Sequence, residues 1–338
     1  MKIDTGLPVY DLQEVGAYAR AAEALGFDTL WTAEAQHNPF LPLAVVATTT
    51  QRLKLGTAIA VAFPRSPTLL AHLAWDLQAS SRGRFILGLG TQVKGHNERR
   101  FGVKWEAPAK KMREVILALR AIWDCWQHGT PLNFRGEFYQ LTLMTPFFSP
   151  APMAYTPIPI YVAGVNQRMC QLAGELCDGL HVHPFHSVRY LQETVLPNVE
   201  AGAAKAGRRR SDVVLSGTVF VITGDSQAEM DKMREQVRMQ IAFYASTRTY
   251  KPVLDAHGWG DVCAVLNRKA AQGDWQGMAR EITDEMLDVY AVCGAPDELP
   301  GKLQERYRHI LDRLTFYSPY RPGVHEDRWR RLIQALQQ

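Results

Sequence analysis

The sequence predicts a (β/α)8 barrel with insertions, and three observations support this α/β fold class. Short apolar runs typical of strands alternate with amphipathic helical segments, the pattern of parallel pairing through βαβ crossovers. Eight such strands can be counted in 338 residues, a length that α/β barrels reach as one domain. A hydrophobic share of 46% is ordinary for a globular protein, which excludes disorder, collagen and coiled coil.

The predicted strands occur at intervals along the whole chain. In order they are residues 2–7, 28–33, 53–61, 85–89, 160–163, 179–183, 213–222 and 314–317.

Capping residues predict where several helices begin and end. Asp11 with Glu14, and Ser226 with Glu229, have capping-box spacing, and Gly26 ends the first helix. The helices are predicted after Asp11 and over residues 41–51, 66–83, 108–128, 167–176, 188–206, 226–244, 284–292, 297–310 and 326–336. In the helix that follows Ser66, the side chains predicted to face inward are Leu69, Leu70, Leu73 and Leu77.

Two stretches interrupt the alternation and are interpreted as insertions in a single domain that spans residues 1–338. Residues 131–159 are predicted to form a hairpin that turns at Arg135-Gly136, followed by a proline-rich connection. Residues 250–283, with Trp259 and Trp275, are predicted to cap the pocket and help select the substrate, or else to pack against a partner subunit.

Charge and cysteine usage bound the class of protein. The net charge of +4 comes from interspersed residues, and the one basic run, Arg208 to Arg210, is interpreted as a solvated loop rather than a nucleic-acid patch. No stretch reaches the roughly 18 apolar residues of a membrane span, and the first ten residues do not resemble a signal peptide. Five scattered cysteines without a CxxC pair predict reduced, buried thiols in a cytoplasmic protein.

Because a barrel of this type carries its chemistry at the C-terminal ends of the strands, the candidate residues follow those ends. After the second strand come Glu34, His37 and Phe40, where His37 is a candidate general acid/base or a residue that only bonds a loop carbonyl. After the fourth strand come Gly90, Thr91 and Gln92. The glycines there allow a close backbone approach, but the spacing is not a dinucleotide fingerprint.

The fifth and sixth strands end in two further candidate motifs. Gly164 to Asn166 leads into a helix, so its N–H groups form either a phosphate cradle or a plain turn. His181 and His183 place two imidazoles on one face of a strand. They are interpreted as the polar lining of a pocket; the alternative is a metal-dependent barrel hydrolase that uses both as ligands.

Seven segments, each at its proper barrel element, resemble the luciferase-like monooxygenase superfamily over essentially the whole chain. They are ALGFDTLW (24–31) into Glu34, LGTA (55–58), SRGRFILGLG (81–90), GEFY (136–139), PIYVAG (159–164), CDG (177–179) and CGAPDE (293–298). Within that superfamily, EAQHNPF (34–40) and LGTQVKGHNERRFG (89–102) resemble a subgroup assigned to coenzyme F420, a deazaflavin that carries hydride.

The resemblance implies a deazaflavin ring across the barrel mouth and a small organic substrate beside it. Ala58 and Ile59 match the position of a non-prolyl cis peptide that supports the ring. The residues implied at the ring are Glu34, Gly90 and Thr91, those at its tail or phosphate are Val162, Ala163, Gly164, Val165 and Asn166, and those of the substrate pocket are Phe40, Gln92, His181 and His183.

Two departures limit what the resemblance transfers. Deazaflavin dehydrogenases of sugar phosphates carry a histidine where this chain has Ala35 and a glutamate where it has Val93, so that activity is not expected here. His37 is then the hypothesised proton donor, with Glu34 beside it as the second candidate catalytic group. The alternatives are an FMN-dependent monooxygenase that uses oxygen and a non-catalytic cofactor-binding relative. The expected partners are a small-molecule substrate and further copies of the chain, in a homodimer or higher homo-oligomer, without nucleic acid or membrane.

Overall fold

A computed structural model of the chain, which describes residues 1–337, contains a closed barrel of eight parallel strands. The barrel strands are β1 (Lys2–Gly6), β2 (Thr29–Thr32), β3 (Lys54–Thr57), β5 (Phe85–Gly90), β8 (Ile160–Gly164), β9 (Gly179–Val182), β10 (Val214–Ile222) and β12 (Arg313–Phe316). Each pairs with its neighbour in chain order, and β12 closes the ring by pairing with both β10 and β1. The predicted fold class is therefore confirmed.

Four short strands lie outside this ring. They are β4 (Ala60–Val61), the antiparallel pair β6 (Phe134–Arg135) and β7 (Gln140–Leu141), and β11 (Ala291–Cys293). The third predicted strand is thus divided into β3 and β4, with the cis Ala58–Ile59 peptide bond between them. The predicted hairpin forms with its turn after Arg135, and β11 pairs with the outer half of β10 where a helical end was predicted.

Helices pack around the barrel and connect its strands. They are α1 (Leu12–Leu25), α2 (Phe40–Thr49), α3 (Pro67–Ser80), α4 (Lys94–Arg99), α5 (Pro108–His128), α6 (Gln167–Leu176), α7 (Val188–Tyr190), α8 (Leu196–Lys205), α9 (Gln227–Ala245), α10 (Lys251–Asp255), α11 (Gly260–Gln272), α12 (Trp275–Arg280), α13 (Asp284–Tyr290), α14 (Leu299–Tyr307) and α15 (Glu326–Gln337). A π-helical turn joins α7 to α8 within the predicted helix at 188–206. In residues 1–337, no helix combines the length and apolar character that crossing a bilayer requires.

The predicted N-caps form, but the capping boxes do not have the predicted pairing: Asp11 accepts the Gln13 N–H in place of that of Glu14, and Glu229 accepts the N–H of Asp225 in place of that of Ser226. The side chains of Asp11, Ser66 and Ser226 each accept a backbone N–H at the start of α1, α3 and α9. The prediction that Leu69 faces inward is wrong, because Leu69 is 61% exposed. The residues that α3 buries are Pro67, Leu70, Ala71, Ala74, Trp75, Leu77 and Gln78, so Leu69 lies outside the buried face of the helix.

A buried charged cluster lies inside the barrel between its first and last strands. The Asp4 carboxylate accepts hydrogen bonds from Arg313 Nε at 2.8 Å and from Trp31 Nε1 at 2.9 Å. Arg313 also contacts Asp28 and Thr29, and its side chain is 6% exposed. Burial raises the pKa of Asp4 even though the Arg313 guanidinium opposes that shift. The pair ties β1 to β12 where the barrel closes.

Candidate active site

A cavity of about 480 Å³ opens at the C-terminal ends of the barrel strands. It brings together residues that follow β3, β5, β8 and β9, which are far apart in the sequence. The predicted residues that line it are Ala58, Ile59, Gly90, Thr91, Gln92, Ala163, Gly164, Val165, Asn166, His181 and His183. Its size and position are those of a small-molecule site in a barrel of this type.

The wall after β3 and β5 depends on the small size of two glycines. A Cβ at Gly90 would lie 2.6 Å from Ile59 Cδ1, so the glycine makes room for the side chain that follows the cis peptide bond. A Cβ at Gly88 would lie 1.7 Å from the Thr57 carbonyl oxygen. Gly88 and Gly90 therefore allow the Thr57 carbonyl and the Ile59 side chain to pack closely against them, and Gly90 also lines the cavity.

Glu34 is held in place beside this wall by three donors. Its carboxylate accepts Arg65 Nη1–H at 2.7 Å, Arg65 Nη2–H at 2.9 Å and the Val61 N–H at 2.7 Å. The Glu34 backbone N–H also donates to the Ile59 carbonyl at 3.1 Å. The side chains of Glu34 and Arg65 are 8% and 17% exposed. This clamp fastens the end of β2 to the segment that contains the cis peptide bond.

Four of the predicted residues are not among those that line the cavity. His37 is exposed and stacks on Tyr10 with ring centroids 4.5 Å apart. Phe40 is buried at the start of α2, with the Arg65 guanidinium over its ring. Glu34 faces Arg65, and Val162 is wholly buried in β8. The role proposed for each of these four residues stays a prediction.

His181 is buried at the floor of the cavity among aromatic rings. Its ring meets Trp31 edge-on with centroids 4.8 Å apart and lies 5.3 Å from the Tyr161 ring. Its Nε2 atom is buried without a well-formed hydrogen bond in the described structure, although the Thr57 carbonyl lies nearby. Burial lowers the pKa of His181 to about 3, so the ring is neutral at physiological pH.

His183 carries a defined tautomer. The Phe185 backbone N–H donates to His183 Nδ1 at 3.2 Å, and burial lowers the pKa of the ring to about 3. A neutral imidazole whose Nδ1 accepts a hydrogen bond has its proton on Nε2. Tyr250 stacks on the ring at 4.3 Å, and Tyr244 meets it edge-on at 4.6 Å. The ring is therefore held rigidly as a hydrogen-bond donor.

Sequence reasoning missed one wall of the cavity. Thr218 from β10, Phe243 and Tyr244 from α9, and Thr247 and Tyr250 from the connection to α10 line it. Two features of the sequence could have indicated this wall. Thr218 lies in the seventh predicted strand, and the aromatic residues Phe243, Tyr244 and Tyr250 lie just before and at the start of the insertion.

The two predicted capping tryptophans lie elsewhere. Trp259 stacks on His257, and Trp275 is 49% exposed; neither is among the residues lining the cavity. The insertion instead approaches the cavity through Tyr250 and the preceding turn.

A second opening of about 800 Å³ continues from the cavity across the barrel rim. The two share Thr91, Gln92, Val93, Asn166, Met169 and Thr249. The groove is lined by the cations Lys94, Lys110 and Arg168 and by the N-terminus of α6, whose Asn166 side chain does not cap it. Cations and free helix N–H groups favour a bound anion. We call this opening the basic groove.

In residues 1–337, no group of three or more histidine, cysteine or acidic side chains is placed to share a metal ion. His181 and His183 belong to the cavity lining, with the Nδ1 atom of His183 engaged by Phe185.

The cavity and groove define an α/β-barrel protein with a binding site at the strand ends, and comparison with known proteins assigns its family. A sequence-family model described as luciferase-like monooxygenase matches residues 2–313. An uncharacterized protein of Mycobacterium tuberculosis is 47% identical over 315 residues, 93% of this chain and 92% of its own length. The 5,10-methylenetetrahydromethanopterin reductase of Archaeoglobus fulgidus is 30% identical over 325 residues, 94% of this chain and 92% of its own.

Solved structures share the fold. The coenzyme F420-dependent tetrahydromethanopterin reductase from Methanopyrus kandleri superposes with a TM-score of 0.78 at 19% identity, covering 100% of this chain and 99% of its own. The chain belongs to the luciferase-like monooxygenase family of enzymes. The expected family resemblance is thereby confirmed.

Proposed function

We propose that this protein is an oxidoreductase that transfers a hydride between coenzyme F420 and a small organic substrate. The observation that carries the proposal is the continuous path from an uncharged cavity into the basic groove. A planar aromatic tricycle with a long anionic tail fits this combination of surroundings. The two reductases named above, one of them F420-dependent, support the same class of reaction.

The residues of the chain fit such a group in two parts. Ala58, Ile59, Gly90 and Thr91 would border the ring, and the stretch from Val162 to Asn166 would hold the tail or its phosphate. Lys94, Lys110 and Arg168 would neutralise the rest of the tail. When bound, the coenzyme supplies or accepts the hydride. The chain supplies orientation and a cavity lining without charged side chains among residues 1–337.

The clamp between Glu34 and Arg65 would position the cis segment against the ring, because it fixes Val61 and Ile59 from both sides. His37 remains the proposed proton donor, since it follows the C-terminal end of β2 and imidazole is a common general acid. A His37→Ala enzyme with unchanged turnover would remove it from that role.

The proposal is tested by titrating the purified protein with coenzyme F420 and, separately, with FMN, while the fluorescence of each ligand is followed. We expect saturable quenching of F420 and weaker binding of F420 to Arg168→Gln. Arg209→Gln is the control, because the Arg209 side chain is 84% exposed and precedes the N-terminal end of β10. Tight FMN binding with none for F420 would instead favour the FMN-dependent monooxygenase, which the family name supports. Binding without turnover of any substrate would favour a non-catalytic relative.

The metal-dependent hydrolase stays the proposal of a different class. Elemental analysis that finds stoichiometric metal in active protein would favour it, although residues 1–337 assemble no three-ligand cluster.

A homodimer or higher homo-oligomer is proposed because two leucines on neighbouring helices are exposed. Leu41 of α2 and Leu69 of α3 are 59% and 61% exposed, and burial against another copy would remove them from water. Sedimentation velocity measures the state directly. The absence of nucleic-acid binding and the cytoplasmic location also stay predictions. Within the basic run, the Arg208 guanidinium donates to the carbonyls of Gly174 and Cys177, so it is engaged within the protein.

A further inference from the structure

We infer that the substrate is an uncharged compound with a carbonyl-type acceptor on an apolar or aromatic body, bound through the Nε2–H of His183. This inference rests on the proposed function, because it concerns the part of the cavity that the cofactor residues leave free. That part is formed by β9, β10 and the segment that connects α9 to α10.

The first argument is that the described lining of the cavity carries no charged side chain. Among residues 1–337, those lining the cavity include no aspartate, glutamate, lysine or arginine. His181 and His183 line it in the neutral form, and His96 is exposed at the rim. A carboxylate or phosphate entering this space would lose its hydration without gaining a counter-ion, which is strongly unfavourable. The cations of the site lie in the basic groove, on the side of the proposed tail.

The second argument is the direction of the available hydrogen bond. The Nδ1 of His183 is occupied by the Phe185 N–H, which leaves Nε2–H as the donor of a ring that lines the cavity. Such a donor recognises a lone pair, as on a carbonyl oxygen. Since the ring is neutral, it orients and polarises the acceptor. On carbonyl reduction the hydride would come from the reduced coenzyme and the proton from the proposed donor His37.

The third argument is the aromatic wall around this donor. Tyr250 stacks on His183 and Tyr244 meets it edge-on, while the Tyr244 hydroxyl lies 3.0 Å from the Tyr317 hydroxyl. Phe243, 49% exposed, extends the wall towards the entrance. Packed rings fix the donor in one orientation and offer apolar surface to the body of a substrate.

The test compares three ketones that share a ring and differ in charge: cyclohexanone, 4-oxocyclohexanecarboxylate and the methyl ester of that acid. With the F420-loaded protein we expect kcat/KM for the ester to lie within about tenfold of that for cyclohexanone. The carboxylate should be lower than the ester by about 100-fold or more. Equal use of acid and ester, or no binding of any of the three, would overturn the inference.

Two further measurements separate this inference from the proposed function. Calorimetric binding of the three ketones to protein without coenzyme should give the same order of affinity. If F420 fails to bind but that order holds, the proposed function fails and the substrate class stands. If F420 binds and quenches but acid and ester bind alike, the substrate class fails alone.

Variants test which residues provide the hydrogen bond to the substrate and the preference for an uncharged substrate. His183→Phe keeps an aromatic ring and removes the donor, so kcat/KM for the ester should fall about five- to tenfold while F420 affinity stays constant. His128→Phe, at the exposed end of α5, is the matched control. Thr247→Lys places a cation at a half-buried position of the cavity lining. The ratio of kcat/KM for the ester to that for the acid should therefore fall at least about tenfold. Ser211→Lys, on an exposed turn, should leave this ratio unchanged. An unchanged preference in a folded Thr247→Lys protein would contradict the charge argument.

Discussion

Replacing Arg65 by methionine tests whether Glu34 is a positioning residue. The change removes two charge-assisted hydrogen bonds to a carboxylate that is 8% exposed, as well as the bond from Nη1 to the Val61 carbonyl at 2.8 Å. Glu34 would keep only the Val61 N–H. Breaking a buried pair from one side costs about 3–5 kcal/mol. Because Arg65 is 17% exposed and water can partly replace it, we expect a loss near the lower limit, about 3 kcal/mol.

The assay is urea unfolding followed by tryptophan fluorescence, combined with a double-mutant cycle that uses Glu34→Gln. The coupling free energy between the two changes should be about 2 kcal/mol, because the two side chains bond each other directly. Arg330→Met is the control: it removes a pair with the 86% exposed Asp327 side chain and should cost less than about 0.5 kcal/mol. A coupling free energy below about 0.5 kcal/mol would refute the clamp. F420 affinity should weaken in the same variant, since the clamp holds the segment beside the cavity.

Three more predictions follow from buried groups. Arg313→Met should cost about 3–5 kcal/mol. Because burial already raises the pKa of Asp4, the folded variant binds a proton that the unfolded chain releases, so the deficit in urea unfolding should be larger at pH 8 than at pH 5. Burial lowers the pKa of His186 to about 4, so below pH 6.5 the unfolded state binds more protons and the free energy of unfolding falls by about 1.4 kcal/mol per pH unit from this residue. His186→Phe should therefore lose less stability between pH 6.5 and pH 4.5 than the parent, and an equal slope would contradict this. Gly90→Ala places a methyl group within 2.7 Å of Ile59 carbons and should cost about 1–3 kcal/mol and weaken F420 quenching; unchanged melting and quenching would show that Ile59 can move.

The part of the candidate site that was predictable is the part that follows strand ends. In a parallel barrel all these ends meet at one mouth, so locating the strands also locates Ala58, Gly90, Asn166 and His181. Phe40 shows the limit of the rule. It follows the second strand closely in sequence, but α2 begins at this residue and its ring is buried under Arg65.

The wall formed by Tyr244 and Tyr250 was not predictable in the same way. It depends on how the end of α9 and the following turn fold over a strand more than sixty residues earlier. The same holds for the tautomer of His183, which is set by a backbone N–H two residues away once the chain turns at Pro184.

The sequence by itself determined the eight alternating units, the helix caps, the insertions and the likeness to the family, because periodicity, capping and motif order are local properties of the chain. Only the tertiary structure decided that Glu34 is clamped by Arg65, that the cavity is lined without charge and that the cations gather in the adjoining groove. These features depend on burial and on contacts between residues distant in sequence, and charge states and hydrogen-bond partners follow from those contacts.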